Sequence, residues 1–180
     1  TLTCAAIARS LEVADLDHLH APADLTAVRR VADVLEQQPT AEAILAAFHA
    51  LCRELVPEAG VSRVTYLVRE GDRVSSVATY GDTHSGPPVG SSLTMEEEPL
   101  LHQILVHGHT LILQLDETTI EANFVRRHLH DAGIRSALGL PLRTGGRIAA
   151  MLLLSSRRHH AFEGLDLANL EATGRVVVHV

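Results

Sequence analysis

The feature that most constrains the fold of this chain is the run from Ile148 to Leu154, apolar at every position and set between Gly145-Gly146 and Ser155. Successive side chains of a strand point to opposite faces, so a half-exposed strand alternates apolar with polar residues. An unbroken apolar run therefore predicts a strand covered on both faces. The stretch Ile134 to Leu142 is similar in character, and the turn Arg143-Thr144-Gly145-Gly146 joins the two. The pair reads as a hairpin, Ile134 to Leu142 and Arg147 to Ser155, at the centre of a sheet with a layer on each side.

The rest of the chain supplies the covering elements. Leu2, Ile7, Leu11 and Leu16 have loose helical spacing before a break at Ala21-Pro22, and Asp24 caps a helix striped with Leu25, Val28, Val31, Ala32 and Leu35 that Pro39 ends. Thr40 then caps the cleanest amphipathic helix, with Ile44, Leu45, Phe48, Leu51, Cys52 and Leu55 on one stripe. From Val61 the period becomes two: Val64, Tyr66 and Val68 alternate with Arg63, Thr65 and Arg69. Glu70-Gly71-Asp72 turns the chain into a returning strand, Arg73 to Tyr80. Gly81 to Gly90 reads as a loop, Val89 to Leu93 as a short extended piece. The helix after it starts either at a Thr94/Glu97 capping box or at Pro99, and ends at Gly108. Thr110 to Leu115 reads as a strand. Ile120, Phe124, Val125 and Leu129 mark a short helix closed by Gly133, and Phe162 to Val180 a terminal helix.

Bulk properties exclude several function classes. A net charge of −7 opposes direct nucleic-acid contact, which needs clustered cations to displace phosphate counterions. All 15 basic residues are Arg, and without Lys there is neither Schiff-base chemistry nor a Walker-type phosphate lysine. The two cysteines, Cys4 and Cys52, form no Cys-x-x-Cys pattern, which fits a reduced, cytoplasmic protein. No apolar run approaches the roughly 20 residues of a membrane helix. The chain opens without Met and stops inside a helically patterned stretch, as a segment of a longer protein with an attached effector domain would.

This order of elements resembles the GAF family. Ala137 to Pro141 with Leu142, the Gly-Gly turn, Ile148 to Ser155, Ala161-Phe162 and Asp166-Leu167 are similar to that family's pattern of Pro-Leu, turn, hydrophobic strand, Phe and Asp-Leu helix. Val89-Gly90 through Leu93, Glu96, Leu100, Leu101 and Gly108-His109 resemble the segment leading into its third helix and next strand. The resemblance covers roughly Asp24 to the end, with residues 1–22 a linker or amino-terminal helix and 23–180 the domain. It implies an α/β (α+β) fold: an antiparallel sheet with the amino- and carboxy-terminal helices on one face and short helices and loops over the other. PAS domains, the nearest confusable fold, usually lack the paired leading helices and the long closing helix.

The resemblance also implies a pocket on the face away from the terminal helices. Sheet residues whose side chains are candidates to line such a pocket, with a few polar groups among apolar walls, are Tyr66, Thr79, Tyr80, Ser136 and Met151, although which strand face meets it is open. On the short helix, Phe124 and His128 share a face with Glu121, and His128 is either a surface residue or a titratable ligand contact. For Phe124 core packing competes with ligand stacking. Of the twelve histidines, His102, His107, His109, His128, His130, His159 and His160 invite a metal reading, but their spacing sets no ligand cluster on one face, so no metal site is assigned. Nor does the sequence specify a cofactor. Cyclic-nucleotide relatives carry an Asn-Lys-x-x-x-Phe-x-x-x-Asp-Glu pattern that a Lys-free chain cannot complete. Bilin-binding and free-methionine-sulfoxide-reductase relatives need cysteines in places where this chain has none.

Two functions from different classes remain. In one, a small molecule binds on the sheet and shifts the terminal helices, controlling an effector such as a transcription activator or histidine kinase. In the other, the domain is a ligand-free homodimeric scaffold, with Leu25, Val28, Val31, Leu35, Leu167, Leu170 and Val177 in an intersubunit helix bundle. Catalysis has no candidate nucleophile.

Overall fold

The computed structural model describes residues 40–82, 86–96, 98–116, 124–144, 146–165, 167 and 170–171. The helices expected before Thr40, with Leu25, Val28, Val31 and Leu35, lie outside the described residues, as do Glu121 and Val177. Helix α1, Ala41–Leu55, begins where Thr40, in extended conformation, accepts a hydrogen bond from the Ala43 amide at 3.2 Å. Its stripe of Ile44, Leu45, Phe48, Leu51 and Cys52 is buried. Pro57 cannot extend the helical bonding, and a single 3-10 turn, Pro57–Ala59, leads through Gly60 into the sheet.

Strand β1, Val61–Glu70, and β2, Arg73–Gly81, form the expected hairpin around Gly71-Asp72, with Gly71 at φ 68. Short strand β3, Ser92–Thr94, pairs with β2. Thr94 thus belongs to the sheet, and helix α2, Pro99–Leu105, starts at the proline, whose missing N–H forfeits nothing at a first helical position. Strand β4, Leu111–Gln114, helix α3, Phe124–Asp131, and the hairpin of β5, Ser136–Thr144, with β6, Arg147–Ser156, complete the described elements. The strand order is β3-β2-β1-β6-β5-β4, antiparallel at every pairing.

Burial divides the molecule into two apolar layers sharing one sheet. Against the first face pack α1 and the segment carrying Phe162, Leu165, Leu167 and Leu170, over Val64, Leu138, Leu140, Leu152 and Leu154. Against the second pack α2 and α3, over Leu67, Val74, Ala137, Met151 and Leu153. From Ala150 to Leu154 strand β6 is buried at every position, alternating between the layers as its sequence predicts. Each large side chain so buried contributes about 1.5–3 kcal/mol.

Two expectations change. The middle of the sheet is β1 beside β6, with β5 one place further out, because β1 carries apolar residues on both faces as well. Residues 161–164 form a turn that ends at Gly164, φ 72, so Phe162 does not open the terminal helix. Phe162 is instead a fully buried anchor on the first face, and helical structure is described only at Leu170–Glu171.

Candidate functional site

Between the second face and its two helices lies a narrow apolar chamber. Its floor is Leu67, Val74, Met151 and Leu153; its walls are Leu113, Leu100, Leu101, Ile104 and Val125; its roof is Pro87, Ser91 and Leu93. The enclosed space is about 20 Å³, room for one water molecule. Ile104 does much of the filling. A Cβ on Gly139 of β5 would collide with Ile104 Cδ1 and lie 3.3 Å from Met151 Cε, so the glycine lets the isoleucine seat directly on the strand backbone.

The roof is held from two sides. Arg63 of β1 is 1% exposed; its Nε donates to Thr65 Oγ1 at 3.0 Å, Nη1 to the Asp82 carbonyl at 3.3 Å and Nη2 to the Pro87 carbonyl at 2.8 Å. Gly86, φ 140, lies flat on the same guanidinium, where a Cβ would sit 3.3 Å from Arg63 Cζ. Burial pushes the guanidinium below its ordinary value, and Asp82 opposes that shift. Asp82 itself pairs with Arg157 through its carboxylate. From the other side His128 of α3 places Nε2 3.1 Å from the Gly86 carbonyl, to which it donates.

The two helices are also tied together. Glu98, fully buried just before α2, accepts the Val125 amide at 2.9 Å with Oε1. A carboxylate there satisfies one of the amides that a helix start leaves without an internal partner, and it faces the positive end of the helix dipole. The second face holds further polar groups, some buried and some half-buried. Thr79 Oγ1 donates to the Val64 carbonyl at 3.2 Å and lies 3.5 Å from Thr65 Oγ1. Ser76, opposite Leu67, and Ser155, opposite Arg63, bury hydroxyls that have no hydrogen-bond partner among the described residues. Each such group costs about 1–3 kcal/mol relative to its bonded state.

The sequence-predicted site residues divide between the faces. Met151 lines the chamber; Thr79 and His128 stand on the same side, at its polar margin and roof. Phe124 opens α3, and its side chain lies outside the described residues. Tyr66, Tyr80 and Ser136 fall on the first face instead: even-numbered positions of β1 and β5 point toward α1 and its neighbours, and in β2 the bulge between Ser76 and Ala78 turns Ala78 and Tyr80 to that face although Val74 lies on the other. Tyr66 packs against the first-face core, with burial raising its phenol above the ordinary value. Tyr80 meets His49 of α1 edge to face at 5.5 Å. Ser136 Oγ donates to the Arg158 carbonyl at 2.7 Å and receives the Ala161 amide at 3.3 Å. Of the dimer-seam residues, Leu170 is fully buried inside its own domain and Leu167 is partly buried against the same core.

Sequence reasoning missed Arg63, Glu98, Ser76 and Ser155. A polar residue alternating with apolar ones reads as solvent-facing, but helices on both sides of the sheet leave β1 no solvent face. That two-sided cover was the available signal. Among the described residues no group of three or more His, Cys, Asp or Glu is placed to hold a metal ion. His102, His107 and His109 do form an exposed chain, with ring centroids 5.2 and 5.9 Å apart. No helix among the described residues is long and apolar enough to cross a membrane.

Comparison with known families matches the GAF domain over residues 43–178. Comparison with curated proteins finds no match. Among solved structures, the GAF domain of a two-component sensor histidine kinase from Bacillus halodurans is similar with TM-score 0.61 at 18% identity, over 72% of this chain and 85% of that one. The phycoerythrobilin-bound GAF domain of a cyanobacterial phytochrome gives 0.61 at 16%, over 86% and 93%. The fRMsr of Staphylococcus aureus, in complex with substrate, gives 0.61 at 16%, over 86% and 92%.

Proposed function

The chain belongs to the GAF domain family, and on that premise we propose that it is a non-catalytic sensory domain whose second-face chamber binds a small, mainly apolar molecule and reports its presence to an attached effector. The observation that carries this reading is an apolar chamber with Ser91 in its lining, on a face that also buries two unsatisfied hydroxyls, Ser76 and Ser155, outside that lining. Binding sites typically combine apolar walls with a few convergent polar groups. A chamber of about 20 Å³ admits a ligand only after Ile104 or the Pro87 roof moves, so occupancy favours a second arrangement of α2, α3 and the roof.

The described cysteine brings no nucleophile to the chamber. Cys52 lies fully buried on the first face, where desolvation pushes its thiol well above the ordinary value, away from the chamber and from the reactive thiolate form. The relatives include sensor and reductase structures alike, and at these identities they share the fold with this chain. By family habit the effector is a histidine kinase or a transcription activator in the cytoplasm, with any DNA contact left to another domain, since this one carries net charge −7.

A second reading has its own observation. The chamber is filled by the domain's own side chains, which suits a scaffold that never opens and works through homodimerisation. Thermal-shift screening with indole, aromatic and branched amino acids and nucleotides separates the two. A compound that raises the melting temperature of the wild type and not of a Met151→Trp variant supports the sensor. If nothing in the panel shifts the melting temperature while the chain sediments as a dimer, the scaffold replaces it.

A further inference from the structure

At the opposite end of the second face from the Arg63 clasp, past the carboxyl end of α2, is an open groove of about 570 Å³. Three adjacent strands each bring one arginine to it: Arg69 from β1, Arg147 from β6 and Arg143 from β5, around a floor of Ile148 and Ala149. No carboxylate lines it. The neighbouring β1–β2 turn carries Glu70 and Asp72, both exposed and outside the lining. We infer that this groove is an anion site for a small phosphate-bearing molecule, separate from the chamber and independent of what the chamber binds.

The arginines are not equivalent. Arg69 is anchored: Nε donates to the Gly71 carbonyl at 3.0 Å and Nη1 to the Leu105 carbonyl at 2.9 Å, where it offsets the negative end of α2. Arg143 is positioned by shape, since its guanidinium occupies the space over Gly108 that a Cβ would fill. Gly108 also has φ 71, so the position suits glycine on both counts. Outside the β5–β6 backbone ladder, the side chains of Arg143 and Arg147 make no hydrogen bond or ion pair with any described residue. Three guanidinium groups gathered without a carboxylate repel one another, in a chain whose net charge is −7. Their planar forks match the oxygens of a phosphate group, which accept paired N–H donors. The groove volume falls within the usual range of small-molecule sites, roughly 300–1,000 Å³.

The test is isothermal titration of the full chain with inorganic pyrophosphate at low ionic strength, with citrate as the carboxylate comparison. Arg143→Gln and Arg147→Gln are each expected to weaken pyrophosphate binding about tenfold, the loss of one charge-assisted contact. Arg73→Gln removes an arginine from the same end of the sheet that bonds Ser92 Oγ and does not line the groove, and it should leave binding unchanged. Binding lost equally in all three variants would mean diffuse charge attraction and overturn the site. Absence of pyrophosphate binding overturns it too. Citrate binding as tightly as pyrophosphate overturns the phosphate assignment. Circular dichroism of the variants guards against misfolding, since both groove positions are exposed hairpin residues.

Discussion

Replacing Gly139 by alanine tests the filled chamber directly. Gly139 has an ordinary strand conformation, so the added methyl meets no backbone objection. Removing a glycine ordinarily stabilises by about 0.4–1 kcal/mol, through a less flexible unfolded chain. Here the methyl strikes Ile104 Cδ1, while Ile104 Cγ1 at 3.4 Å and Met151 Cε at 3.3 Å leave little room to turn aside. Overpacking of a dense core costs about 1–3 kcal/mol, so Gly139→Ala should be net destabilising. For a domain of this size that is a fall in melting temperature of about 2–4 °C per kcal/mol. Ile104→Val removes the very atom that is struck and costs about 0.5–1.5 kcal/mol alone. The double variant should therefore be more stable than the sum of the singles by about 1 kcal/mol, a coupling that urea denaturation resolves. If Gly139→Ala is neutral or stabilising, or the two changes simply add, then Ile104 does not rest on Gly139 and the account of the chamber fails.

Other consequences are as direct. In a Cys4→Ser background Cys52 should resist a disulfide reagent at pH 8 until urea unfolds the chain; prompt labelling of the folded form would contradict its burial. His49 is held below its ordinary value mainly by desolvation, with Arg53 lowering it further and the 2.9 Å bond to the Val61 carbonyl opposing. The unfolded chain then binds the proton more readily, so stability should decline as pH falls from the ordinary histidine value toward the depressed one, and His49→Gln should flatten that slope. Arg63→Gln should lower stability by about 2–4 kcal/mol and speed hydrogen exchange near residues 86–91, since it releases the Pro87 and Asp82 carbonyls; unchanged exchange there would mean the roof is held by other contacts.

Much of the architecture was legible because it rests on period and punctuation. The doubly covered β6, the Gly71-Asp72 hairpin, the Thr40 cap and the Gly133 stop all act through neighbouring residues, and all are where the sequence puts them. The site was legible only in part, since parity assigns a strand residue to a face without saying which face holds the chamber. Tyr66 and Tyr80 look like pocket residues by type, yet parity sends Tyr66 to α1 and a β2 bulge that no local pattern announces sends Tyr80 there too, whereas the leucines of the chamber look like plain core. Glu98 and Arg63 were hidden for another reason: each acts on an element distant in sequence, Val125 for one and Pro87 for the other, and local pattern carries no trace of such pairings.

Strand β6 places Met151 and Leu153 in one layer and Ala150, Leu152 and Leu154 in the other. The two requirements on it are thus written in separate, interleaved letters. Substitutions at odd positions can reshape what the chamber admits while the even positions keep the seat of α1 intact. On the proposed sensory reading, a lineage carrying this domain is free to change what it detects by point mutation without rebuilding the surface on which the first-face helix rests.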